Sequence, residues 1–163
     1  MNIRIAELPD LPSIVDIYNQ AISAGATGHT DAFTVESRRE WFLSHSAHRP
    51  LLVAEIGETI IGWSNLTHYR PGRQAFQHTA EMSYYVHSGH RRQGVAAALV
   101  SHMTKLAPGL KVRTLIAIIL ETNVASANLM ERLGFSRWAE LPSVARLNDQ
   151  DVGHVYYGLR LPP

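Results

Sequence analysis

A mixed α/β fold, one sheet with helices on its faces, is predicted by three features of this 163-residue sequence. Strand-like apolar runs alternate with segments of helical periodicity along the chain. One run, "RTLIAIIL", is apolar on both faces, as a central strand covered by helices should be. Another stretch, "PLLVAEIGETIIGWSNLTHY", reads as two apolar strands turning at Gly57-Glu58, so antiparallel pairing is also expected.

The elements follow in order. "NIRIA" is a first strand, and Asp10 stands where a residue can cap a helix. In that helix Ile14, Ile17, Tyr18, Ala21 and Ile22 recur on one face. "AGATGHTDAF" is a loop of small and polar residues, and Thr34 begins a second helix containing Trp41 and Phe42. After the hairpin, "RPGRQAFQH" is a loop and "TAEMSYYV" a strand. A helix from about Val95 places Val95, Leu99, Met103 and Leu106 on one stripe. "RTLIAIIL" leads to a short helix, "NVASANLMERLGF", ended by Gly134 as a C-cap. "SRWAEL" and "DVGHVYYGLRL" complete the sheet, giving the order β-α-α-β-β-β-α-β-α-β-β. No repeat, low-complexity segment or linker divides the chain, so residues 1–163 are expected to form one domain.

Composition removes several functions. The formal net charge is +1, so no global field draws the chain to nucleic acid or to an anionic membrane. The absence of cysteine excludes disulfides, thiolate metal sites and cysteine nucleophiles, and fits a reducing cytoplasm. "MNIRIAELPD" lacks the regions of a signal peptide, and runs such as "LIAIIL" are too short to span a bilayer. A cytoplasmic protein is expected. Among nine histidines, His45 and His48 sit at helical spacing and His87 and His90 flank a loop. Neither pair has a carboxylate cluster at ligand spacing, so no metal is expected.

The densest donor cluster lies in "HRRQGVAAALV", between a strand and a helix. The first amides of a helix have no internal acceptors, and aligned peptide dipoles place about half a positive charge there. Gly94 lets backbone approach a bulky anion, Ala96 keeps the next turn slim, and Arg91 and Arg92 add fork-shaped donors. The pattern suits phosphate. The alternative is a capped helix with solvated arginines. Neither a Gly-Lys-Ser/Thr P-loop nor a Gly-x-Gly-x-x-Gly dinucleotide fingerprint is present.

What remains, Arg/Gln-x-x-Gly-x-Gly/Ala at Arg91, Gly94 and Ala96, resembles the GNAT family of acyl-CoA-dependent N-acetyltransferases. "NIRIAELPDLPSIVDIYNQAI", "ESRREWF", "RPLLVAE", "TAEMSYYV", "TNVASANLMERLGF" and "LPSV" follow in the order of its phosphinothricin and methionine sulfoximine acetyltransferases. The resemblance covers nearly the whole chain. It implies a mostly antiparallel sheet splayed between its fourth and fifth strands, with acetyl-CoA wedged in the gap. The pantetheine would pair with the backbone of Tyr84, Tyr85 and Val86, reaching His87. The diphosphate would rest on Arg91, Arg92, Gln93, Gly94, Val95 and Ala96. Asn123 matches the family's pantetheine contact, with Ser126 beside it; an ordinary helix cap is the other reading of Asn123. The resemblance also implies a homodimer.

An amine attacking a thioester must first lose a proton, which free amines hold up to a pKa of about 10. Glu81 is the candidate base: strand alternation puts it on one face with Ser83 and Tyr85, and burial there would raise its pKa. The subfamily places its proposed catalytic glutamate at this position. A structural ion pair with a nearby arginine is the alternative. The residue five before Phe135, a tyrosine or histidine in relatives, is Met130, so Met130→His is expected to leave activity equal or higher if an acid is merely missing, and to lose it severely if Met130 packs against the cofactor. A thiolate of pKa near 8.5 can leave without an acid, with water supplying the proton. Backbone N–H groups near Tyr84 to Val86 would hold the oxyanion.

Arg70 and Arg73 match a region that contacts substrate in the subfamily, and His78, next to the catalytic strand, is a candidate substrate contact. A solvated loop is the alternative for the arginines. The tail reads "ARLNDQDVGHV" where many members carry Lys-Phe-Gly-x-Trp-x-Asp, which leaves the acceptor open. A phosphinothricin-like amino acid is the first expectation. A polyamine, an aminoglycoside or a protein N-terminus is the second, and a CoA-binding sensor without turnover the third.

Overall fold

The computed structural model describes residues 1–162. The strands are β1 (Asn2–Ile5), β2 (Leu51–Ile56), β3 (Thr59–His68), β4 (Thr79–Val86), β5 (Thr114–Leu120), β6 (Ser136–Leu147) and β7 (Gln150–Arg160). The α-helices are α1 (Leu11–Ser23), α2 (Arg39–Leu43), α3 (Val95–Leu106) and α4 (Val124–Arg132). One sheet runs in the order β1-β2-β3-β4-β5-β7-β6, antiparallel throughout except for the parallel pair β4–β5. This is the mixed sheet that the sequence predicts, with each strand and helix in the expected order.

Each face of the sheet is covered by its own core. Ile14, Ile17, Tyr18 and Ile22 of α1 pack on Leu51, Val53, Ile60 and Trp63. On the opposite face Val100 and Met103 of α3 and Leu129 and Met130 of α4 pack on Leu66, Met82 and Leu115. A parallel pair such as β4–β5 needs a crossover, and α3 supplies it. Gly62 lets α3 sit close: a Cβ there would lie 3.0 Å from the Tyr85 carbonyl oxygen and 3.0 Å from Val95 Cγ1. Gly62→Ala is therefore expected to lower stability by about 1–3 kcal/mol, measured by thermal or urea denaturation.

Local details depart from the expected elements. Asp10 does not cap α1; its carboxylate accepts from the Glu7 amide at 2.8 Å and from Arg4 at 2.7 Å, closing a short 3-10 turn over Leu8–Asp10. Burial would raise the Asp10 pKa, but these donors hold it below the ordinary carboxylate range. Thr34 and Ser37 bond each other's amides, each at 3.1 Å, yet the turn they close is 3-10, and α2 is only five residues long. Leu106 lies exposed at the end of α3, and Val100 takes the expected place in its buried stripe. β6 runs past "SRWAEL" to Leu147, its register shifting between Leu141 and Ala145. Pro142, which has no N–H, and Ser143 at φ +54 fall within that irregularity.

Candidate active site

The pairing of β4 with β5 stops early. Thr79, Ala80 and Glu81 face Thr114, Leu115 and Ile116, after which both strands continue without a rung between them. The sheet opens here into a wedge with Glu81 at its apex. Register decides which backbone groups line the opening. The His87 amide bonds Ile61 O at 2.9 Å, and Tyr85 lies opposite Trp63 in the same phase. Backbone groups of alternate residues point to opposite sides of an antiparallel strand, so those of Tyr84 and Val86 face the gap. Those of Tyr85 and His87 face β3, so Tyr84 and Val86 are the residues of this stretch that present backbone to the gap. The His87 ring is also engaged, its Nδ1 accepting from the Gly89 amide at 3.1 Å.

Beyond β4 the chain enters α3 through Gly94, at φ +81 and ψ 0. Among the described residues, no amide from Arg91 to Ala97 donates to a backbone acceptor. Arg91, Arg92, Gln93 and Gly94 are exposed, and Gln93 Nε2 reaches back to Gly89 O at 3.2 Å. Val95 is buried against the sheet and Ala96 half-buried, so both offer amides while their side chains face inward. Arg92 takes the left-handed φ of +62, uncommon outside glycine, and completes the sharp approach to the helix. The donor run expected here is present and unblocked.

Across the gap, Asn123 caps α4, its Oδ1 accepting from the Ser126 amide at 3.2 Å. The capping reading of Asn123 therefore holds, and its Nδ2 makes no hydrogen bond among the described residues. The Tyr84 hydroxyl is buried without a hydrogen-bond partner among the described residues. Burial pushes its pKa up.

Glu81 shares its face with Ser83 and Tyr85, whose cross-strand partners are Asn65 and Trp63, while Thr67 faces Glu81 itself. It is half-buried and joins none of the ion pairs among the described residues, so the structural ion-pair reading is not what the structure shows. Burial alone pushes its carboxyl above the ordinary range. Arg70 and Arg73 are exposed on the β3–β4 connection, at the strand end nearest Glu81. His78 is committed elsewhere: its Nδ1 lies 2.8 Å from Lys111 O, which ties the start of β4 to the segment before β5.

Further residues on this face come from separate elements. Trp41 and His45 stack edge to face at 4.7 Å, and Trp41 meets Trp63 at 5.6 Å. His45 Nδ1 donates to Trp41 O at 3.0 Å, which leaves Nε2 to accept from Asn65 Nδ2 at 3.0 Å. Burial, aided by the charge of Arg38, lowers the His45 pKa and holds the ring neutral. Tyr85, its pKa also raised by burial, packs against Tyr18 at 4.8 Å and Trp63 at 4.7 Å. The result is an aromatic wall beside Glu81. Among the described residues no group of three or more His, Asp or Glu side chains is arranged to hold a metal ion.

Met130 does not face this site. It is fully buried in the core beneath α4. The expectation for Met130→His is corrected accordingly: an imidazole there would be desolvated among apolar groups. Thermal denaturation is expected to show a loss of about 1–3 kcal/mol, with no gain in activity.

A sheet opened at one parallel pair, with an unblocked amide run starting the next helix and a lone carboxylate at the apex, defines an acyltransferase architecture. The chain belongs to the acetyltransferase (GNAT) family, whose model matches residues 11–135. It is 37% identical over 150 residues to YwnH of Bacillus subtilis strain 168, named provisionally as a phosphinothricin acetyltransferase, covering 91% of each chain. It is 30% identical to the L-methionine sulfoximine/L-methionine sulfone acetyltransferase of Salmonella typhimurium, covering 88% of this chain and 85% of that one. Among solved structures it resembles yncA from Salmonella typhimurium with its cofactor acetyl-CoA, at a TM-score of 0.94 and 27% identity. That match covers 100% of this chain and 95% of the other.

Proposed function

We propose that this single domain transfers the acetyl group of acetyl-CoA to the amine of a small amino acid of the phosphinothricin or methionine sulfoximine type, with Glu81 as general base. The observation that carries this reading is the unpaired, half-buried Glu81 carboxylate at the point where β4 and β5 part. The amides of Arg91 to Ala96 bind the diphosphate, and the backbone of Tyr84 and Val86 pairs with the pantetheine. The thioester is thereby delivered near Glu81. Glu81 takes a proton from the bound ammonium, and the freed amine attacks the thioester carbonyl. A gap-facing amide on β4 stabilises the oxyanion. The C–S bond then breaks, and the second proton of the attacking nitrogen passes through water to the departing thiolate, giving the neutral amide and free CoA thiol. The aromatic wall excludes water from the competing hydrolysis.

Arg70 and Arg73, exposed and without ion-pair partners among the described residues, suit the polar head of such an acceptor. The names of the relatives supply the acceptor class. For the homodimer, the supporting feature is the edge strand β6, which leaves Trp138, Leu141 and Val144 exposed. A monomer mass in sedimentation would remove that assignment. The acceptor reading is tested by thiol release with a panel of amines. Turnover is expected with phosphinothricin or methionine sulfoximine; turnover confined to polyamines, aminoglycosides or peptides would overturn it.

A further inference from the structure

We infer that Arg38 is the receptor for the carboxylate of the acceptor amino acid. This deepens the acetyl-transfer reading and rests on it for the identity of the acceptor, although the binding step can be tested without turnover. Arg38 precedes α2, and its guanidinium lies 3.9 Å over Trp41, 4.7 Å over Phe33 and 5.6 Å over Tyr18. These rings are continuous with the wall beside Glu81: Trp41 contacts Trp63, and Tyr18 contacts both Trp63 and Tyr85. Tyr85 and Glu81 share one face of β4. The cation and the proposed base therefore lie against one connected aromatic cluster.

What sets Arg38 apart is what it lacks. Its side chain makes no hydrogen bond and no ion pair among the described residues, although a guanidinium carries five N–H donors. Arg4, by contrast, is bound by both Asp10 and Glu55. Arg38 is half-buried, and a desolvated cation without a counterion is unfavourable unless a ligand supplies one. Aromatic rings cover its flat face, as cation–π geometry requires. The N–H groups in the plane of the fork remain for a partner, and a planar carboxylate meets such a fork with two parallel hydrogen bonds.

The rings are also fixed in advance. The Tyr18 hydroxyl lies 3.0 Å from Thr27 Oγ1 and 2.6 Å from His29 Nδ1. Phe33 is pinned by Asn19 through two hydrogen bonds of 2.9 Å. Trp63 Nε1 donates to Ile14 O at 3.1 Å. A site whose walls are locked before the ligand arrives has little ordering entropy left to lose on binding. Arg38 in this pocket takes the planar carboxylate. The exposed Arg70 and Arg73 are then left for the tetrahedral head at the other end of the acceptor.

The test compares methionine sulfoximine with its carboxamide, in wild type and in Arg38→Met, which keeps apolar packing against the rings. Wild type is expected to favour the acid by about 10- to 100-fold in kcat/KM, the worth of a charge-assisted contact. Arg38→Met should lose that preference, falling further on the acid than on the carboxamide, while its calorimetric affinity for acetyl-CoA stays near wild type. An equal loss on both acceptors, or an unchanged preference, would overturn the assignment. Calorimetric titration of the acid in the presence of CoA reads binding directly. Binding by wild type that disappears in Arg38→Met supports the inference even if no acetyl transfer follows, in which case only the proposed function fails. If wild type acetylates other amines but binds no carboxylate-bearing one, the inference fails and acetyl transfer stands.

Discussion

Glu81→Gln is expected to lower kcat by about 10²–10⁴-fold, the usual share of a general base, and to leave acetyl-CoA affinity unchanged. Glutamine keeps the size and the polar tip of glutamate but cannot accept the ammonium proton. A second effect distinguishes a lost base from a damaged fold. Burial raises the Glu81 pKa in the folded state, so the folded protein binds this proton more tightly than the unfolded chain does. Its contribution to stability is complete below the ordinary carboxylate pKa and is lost as pH rises through the raised one. Once ionised above that pKa, the desolvated carboxylate works against folding. Glu81→Gln should be at least as stable as wild type at pH 7 by urea denaturation, and the pH dependence due to this group should vanish. The activity of wild type should rise with pH through the same raised pKa. Wild-type turnover in the variant, or a large loss of stability, would contradict the assignment.

Gly94→Asp is expected to weaken acetyl-CoA binding by about 10- to 100-fold, with a smaller effect on stability. Two causes act together. At φ +81 the backbone is strained for any residue with a Cβ, which disturbs the aim of the amides that follow. The new carboxylate also places a negative charge where the helix dipole and Arg91 and Arg92 would hold phosphate. Steric conflict in the folded protein is not the cause, since a Cβ on Gly94 meets nothing within 4 Å. A calorimetric titration with acetyl-CoA measures the effect. Unchanged affinity would show that the diphosphate lies elsewhere.

The amide run at Arg91 to Ala96 was legible in the sequence because it is local: strand, donors, glycine and helix lie consecutively. Glu81 was legible for a similar reason, since strand alternation assigns its face without further information. Residues whose roles depend on register or on distant packing were not. Tyr85 and His87 look equivalent to Tyr84 and Val86 until the pairing with β3 shows which backbone groups are already bound. His78 adjoins the catalytic strand in sequence, but its ring is held by Lys111, which is 33 residues away. Met130 follows a family spacing, yet it lies in the core beneath α4. The aromatic wall draws Tyr18, Phe33, Trp41 and Trp63 from separate segments, so no short motif announces it. The "ESRREWF" stretch held the only local sign, a cation three residues before a tryptophan at helical spacing. Among the elements themselves, order was readable from periodicity. The exact end of α3's buried stripe and the partner of Asp10 were not, because side-chain geometry at helix ends decides them.

A structure of the protein crystallised with acetyl-CoA tests the central claim most directly. The account predicts the diphosphate oxygens within hydrogen-bonding distance of the amides between Arg91 and Ala96. It also predicts the pantetheine alongside Tyr84 and Val86, with the thioester on the Glu81 side of the wedge. Cofactor bound with its diphosphate away from the start of α3, or a gap between β4 and β5 left empty at millimolar acetyl-CoA, would contradict it.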